Sequence, residues 1–74
     1  MKADWYVVRG GSVVWKDWVV WEVRLHALGA KPTWDAYKLD TVTKYPIGAN
    51  PYMANFATRE EAMHWCETME AVGA

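Results

Sequence analysis

A chain of 74 residues with a net charge of −1 and a single cysteine forms one domain, residues 1–74, with no internal disulfide. That cysteine usage fits a reducing, cytoplasmic setting. No apolar run approaches the roughly 20 residues of a membrane span, and the charged start "MKAD" lacks the apolar stretch of a secretory signal, so neither is expected.

The first 57 residues read as strands. "DWYVVR" (4–9) is aromatic and β-branched and stops at Gly10-Gly11, across which "SVVW" (12–15) can pair back. Lys16-Asp17 marks a turn or bulge. "WVVWEVRLHAL" (18–28) is the longest run. Its tryptophan spacing suits a helix, but its valines and its lack of caps favour a strand. "TWDAYKLDTV" (33–42) follows, then a loop with Pro46, Gly48 and Pro51, then the short "YMANFA" (52–57). "TREEAMHWCETMEAVG" is a helix. Thr58 caps it with Glu61 three residues on, Glu60 and Glu61 favour the first turn, and Gly73 serves as C-cap. Ala62, Trp65, Cys66 and Met69 form its apolar stripe, and Glu60, His64, Glu67 and Glu70 its charged side. The architecture is α+β: a four- or five-stranded antiparallel sheet with one C-terminal helix packed on one face.

Alternation assigns the faces. Along 18–28, Val19, Trp21, Val23, Leu25 and Ala27 are all apolar and are expected inward, against the helix. Trp18, Val20, Glu22, Arg24 and His26 then face out, joined by Trp34, Ala36, Lys38 and Asp40 of the next strand. Glu22 with Lys38, and Arg24 with Asp40, are the expected cross-strand charge pairs. The expected core is Val7, Val19, Trp21, Val23, Leu25, Tyr37, Leu39, Phe56, Ala62, Trp65, Cys66 and Met69.

A one-layer sheet leaves its second face to water, and on this parity that face holds the binding residues Trp18, Val20, Arg24, His26, Trp34 and Lys38. Trp and Arg dominate binding hot spots. The plainer reading is that a loop or a second copy covers them. The expected function is a non-enzymatic protein-binding module, with a homodimer as a further option. The rival is a nucleic-acid binder that stacks bases on sheet aromatics among Arg24, Lys38 and Lys44. Charge is against the rival: residues 1–45 carry a balance of +2, residues 46–74 one of −3, and no basic run exists. Glu60, Glu67 and Glu70 offer a secondary acidic face toward a basic partner, or simply solubility.

Catalytic patterns are absent. His64 and Cys66 are two apart on a helix and point to different sides, and His26 is the only other histidine, so no metal set is expected. Cys66 lies on the apolar stripe and reads as a core thiol. Ser12 belongs to a turn, Gly10-Gly11 lacks the lysine of a phosphate loop, and Asp35 and Asp40 face opposite sides. No cofactor is expected.

The junction "NFATREEAMHW" (55–65), through Phe56, Thr58, Glu61, Ala62 and Trp65, resembles the strand-to-helix joint of small phage and mobile-element domains, such as the arm-type DNA-binding domains of tyrosine integrases. That resemblance implies a sheet that acts as the recognition surface. In size, acidity and single-domain build the chain is also similar to small phage inhibitors of host defence, such as anti-CRISPR proteins. This class resemblance implies an inhibitor or regulator that occludes a partner in the host cytoplasm.

Overall fold

The valine- and aromatic-rich runs form five strands in a computed structural model, which describes residues 3–8, 10–24, 29, 31–47 and 52–73. They are β1 (Tyr6–Val7), β2 (Val13–Trp15), β3 (Trp18–Val23), β4 (Thr33–Lys38) and β5 (Met53–Phe56), followed by helix α1 (Arg59–Ala71). The sheet runs in chain order, each strand antiparallel to its neighbours. The α+β architecture is the expected one, and "YMANFA" supplies the fifth strand.

Two turns fix the register. Gly10 and Gly11 hold φ of 89° and 86°, where a side chain is strained, and the Val8 amide donates to the Ser12 carbonyl at 2.8 Å. Lys16 and Asp17 form a two-residue loop that brings Trp15 opposite Trp18, with Lys16 at φ 54°.

The register lays side chains in rows across the sheet. On the helix side, Val7, Val13, Val20, Ala36 and Ala54 make one row. Trp15, Trp18 and Lys38 make a second, and Glu22, Trp34 and Phe56 a third. The core is Val13, Trp18, Val20 and Ala36 of the sheet with Ala62 and Cys66 of α1. Ala36 and Ala54 are small, which lets the helix approach closely over β4 and β5. Trp18 is fully buried and meets Trp65 edge-on, with centroids 5.5 Å apart. Removing roughly 200 Å² of indole from water contributes at most about 5 kcal/mol.

The helix begins as read. The Thr58 hydroxyl accepts from the Glu61 amide at 3.2 Å and donates to the Glu61 carboxylate at 3.0 Å. The C-cap is Val72 rather than Gly73. Gly73 follows at φ 83°, and its amide donates to the Glu70 carbonyl at 3.1 Å, as in a Schellman turn.

The face assignment is reversed. Trp18 and Val20 are buried under α1, whereas Trp21, expected in the core, is 46% exposed. Val7, also expected inside, is 69% exposed at the sheet edge. Val19, Val23, Tyr37 and Leu39 are only half-buried, and Val13 and Ala36 take the central places. Leu25 and Ala27 lie outside the described residues. The physical reason is that β3 is apolar on both sides from Trp18 to Trp21. Glu22 and Arg24 decided the sequence reading, yet they stand at the end of the strand, where a charged group reaches water on the helix side. The expected charge pairs fail with the register: Glu22 lies opposite Trp34, and Lys38 opposite Trp18. Glu22 instead pairs with Arg24.

Candidate binding face

The face that α1 leaves uncovered is built from the other parity of every strand. Tyr6, Val14, Val19, Tyr37 and Met53 lie side by side in one row across all five strands. At about 4.8 Å per strand spacing, that row spans roughly 19 Å. A second row places Trp21 beside Asp35 and Asn55. Tyr6 is 58% exposed, and Trp21 and Met53 expose similar fractions; Val14, Val19 and Tyr37 are half-buried. Branched and aromatic side chains suit these positions by strand propensity, so the sheet forms with an apolar surface on which no described element packs.

The polar corner of this face is ordered. The Asn55 side-chain amide donates to the Asp35 carboxylate at 2.6 Å and to the Thr33 hydroxyl at 3.1 Å. The Tyr37 phenol is held above its ordinary pKa by partial burial and by the Asp35 charge. Asp35 is the one formally charged residue that strands β1 to β5 turn toward this side among the described residues.

Cations gather on the opposite side. Lys38 Nζ lies over the Trp18 and Tyr52 rings, at 5.5 and 5.9 Å from their centroids, and 4.0 Å from Glu70. Lys16 Nζ covers the Trp15 ring at 5.2 Å and approaches Glu70 at 3.7 Å. The Arg59 guanidinium stands 6.0 Å from the Trp34 ring centroid. Two indoles complete the hub: Trp18 Nε1 donates to Glu70 at 2.9 Å and Trp5 Nε1 to Glu67 at 2.7 Å. The Trp18 hydrogen bond, with Lys16 and Lys38, holds the Glu70 carboxyl below its ordinary pKa.

Four of the expected binding residues, Trp18, Val20, Trp34 and Lys38, therefore share one side, but it is the covered one. Trp18 and Val20 are core, and Trp34 is half-buried beneath Arg59. Lys38 is half-buried in the Glu70 hub, Arg24 is exposed and paired with Glu22, and His26 lies outside the described residues. The secondary acidic face is also divided. Glu60 is exposed, but Glu67 and Glu70 are tied down by Trp5 and Trp18, so they fasten the helix to the sheet. The exposed set that sequence reasoning missed is Tyr6, Trp21 and Met53. One signal could have found it: Ala36 shares a side with Val20, and small side chains mark where a helix comes close.

Cys66 is fully buried, and burial pushes its thiol up to about 12, with Glu67 adding to the shift. It is an inert core group. Among the described residues no group of three His, Cys, Asp or Glu side chains could hold a metal ion, and no helix is long and apolar enough to cross a membrane. No protein-family model, curated protein or solved structure matches the chain.

Proposed function

We propose that this protein is a non-enzymatic protein-binding module that docks a partner on its open sheet face, with Trp21 and Tyr6 as anchors. The observation that carries the reading is the uncharged row Tyr6–Val14–Val19–Tyr37–Met53 beside the exposed Trp21 ring. An exposed apolar patch of this kind marks an interaction site, and Trp and Tyr are the side chains that concentrate binding energy. A partner contributes apolar side chains over the row and hydrogen-bond donors toward Asp35. Function by occlusion follows, as in a small inhibitor or regulator of phage or mobile-element origin, the class the chain resembles.

A nucleic-acid partner is favoured less. Stacking needs aromatics, which this face has, but backbone binding needs cations beside them, and Lys16, Lys38 and Arg59 are engaged on the helix side. The test is capture from a lysate of the native host with the wild-type chain, Trp21→Ala and Tyr6→Ala, read by mass spectrometry. The reading predicts a protein retained by the wild type and lost from both variants while their folds persist. Equal retention by all three overturns it. So does oligonucleotide binding that weakens steeply between low and high salt.

A further inference from the structure

We propose that β1 is a self-pairing edge, through which two copies of this chain join into one continuous ten-stranded sheet. This inference does not rest on the docking proposed for the open face, although Tyr6 takes part in both. Its basis is a mismatch between sequence and position. Trp5-Tyr6-Val7-Val8 is uncharged and apolar on both sides, the pattern of a strand in the interior of a sheet. Yet β1 is the edge. Three consecutive residues are consequently exposed on both faces at once, Val7 most of all at 69%.

The backbone is equally unfinished. The Val8 amide bonds to the Ser12 carbonyl, and Tyr6 lies opposite Val14, so residues 6 and 8 direct their amides and carbonyls toward β2. By alternation Val7 directs its own outward, and no strand of the described residues lies there. Natural edges are protected by short length, inward charges, proline, bulges or cover; among the described residues β1 has only its two-residue length. The opposite edge, β5, carries the polar Asn55, whose side chain is engaged with Asp35. The β1 edge is also held in place. The Trp5 indole donates to Glu67 and its ring packs against Trp15 at 5.7 Å, so the strand is fixed against the helix side rather than left to fray.

A second copy fits by symmetry. A two-fold axis through Val7, normal to the sheet, pairs Val7 with the other copy's Val7 and Tyr6 with its Val8. The two Val7 residues exchange amide–carbonyl hydrogen bonds. Tyr6 and Val8 form an aromatic–β-branched pair on the open face, and Val7 is covered on the helix side. No charges face each other within the paired segment, and the interface is isologous and closed. Three paired residues bury far less than the roughly 1,200 Å² of a standard stable interface, so the dimer is weak and concentration-dependent.

The experiment is sedimentation equilibrium of the full chain from micromolar to millimolar concentration, with amide hydrogen exchange by NMR at both ends of the range. The weight-average mass is expected to climb from 8.5 kDa toward twice that value, with Val7 amide exchange slowing at least tenfold. Val7→Lys, at an exposed site that leaves the fold unchanged, is expected to shift dimerisation at least tenfold to higher concentration. A chain that stays monomeric at millimolar concentration overturns the proposal. A dimer without Val7 amide protection, a dimer weakened by Trp21→Ala but not by Val7→Lys, or open-ended polymers of β1 on β5 also overturn it.

Discussion

The two sides of this sheet are made from the same residue types and have opposite fates. One side carries Trp18 and Val20, fully buried under α1; the other carries Trp21 and Val19, alternate residues of the same strand, partly open to water. Hydrophobicity alone does not separate them. The covered side is distinguished by its small residues, Ala36 and Ala54, which let a helix approach, and by polar groups that fasten it: the Trp18 indole to Glu70, the Trp5 indole to Glu67. On the open side the described side-chain hydrogen bonds join Asp35, Asn55 and Thr33 in a polar corner. The Trp18 ring is buried where Glu70 takes its indole hydrogen bond, and the Trp21 ring stays nearly half open on the other side.

The sharpest way to break that contrast is to exchange one tryptophan at a time. Trp18→Ala removes a fully buried ring and is expected to cost about 3–5 kcal/mol, enough to unfold much of so small a domain. Trp21→Ala removes a ring that is nearly half open to water and is expected to cost about half as much or less. Urea denaturation followed by circular dichroism measures both, and equal costs would mean that the helix does not distinguish the faces.

Cys66 reports on the covered side from within. With its thiol pushed up to about 12 against an ordinary 9.0, its thiolate fraction at pH 8 falls by about a thousandfold, and thiolate is the reactive form. Labelling with a disulfide reagent should proceed only as fast as the domain opens. Fast labelling of the folded chain would place a gap between α1 and β4.

Glu70→Gln tests the fastening. Above pH 4.5 it should cost about 1 kcal/mol, the difference between a charged and a neutral hydrogen-bond acceptor. The Glu70 carboxyl is depressed below its ordinary 4.5 by Trp18, Lys16 and Lys38. Its contribution is therefore complete above 4.5 and is lost as pH falls through the lower folded-state value. Thermal melts of the two chains should converge in that acid range; a constant difference at all pH values would show that the charge is irrelevant.

The smallest effect is spectroscopic. Acrylamide should quench Trp21 preferentially, since Trp18 is inaccessible. Trp21→Phe should then remove a larger share of the quenchable emission than Trp18→Phe does.

Much of this was legible in the residues. The five runs of β-branched and aromatic side chains, the Gly10-Gly11 and Lys16-Asp17 turns and the Thr58 cap are local features, governed by propensity, turn geometry and capping. Alternation also identified which residues share a side: Trp18, Val20, Glu22, Trp34, Ala36 and Lys38 do stand together. Which of the two sides the helix covers was not legible. Val19 and Trp21 are as apolar as Trp18 and Val20, so burying either set removes comparable surface from water. That choice was made by the packed structure, through the close approach of Ala62 and Cys66 to Ala36 and Val20 and the reach of Glu70 to the Trp18 indole. The sequence by itself determined the strand-forming runs, the two tight turns and the sharing of faces, because those depend on neighbours along the chain. Tertiary structure alone decided which face became core and which stayed open, because that depends on shape and hydrogen-bond partners that meet only when residues about 50 positions apart are brought together.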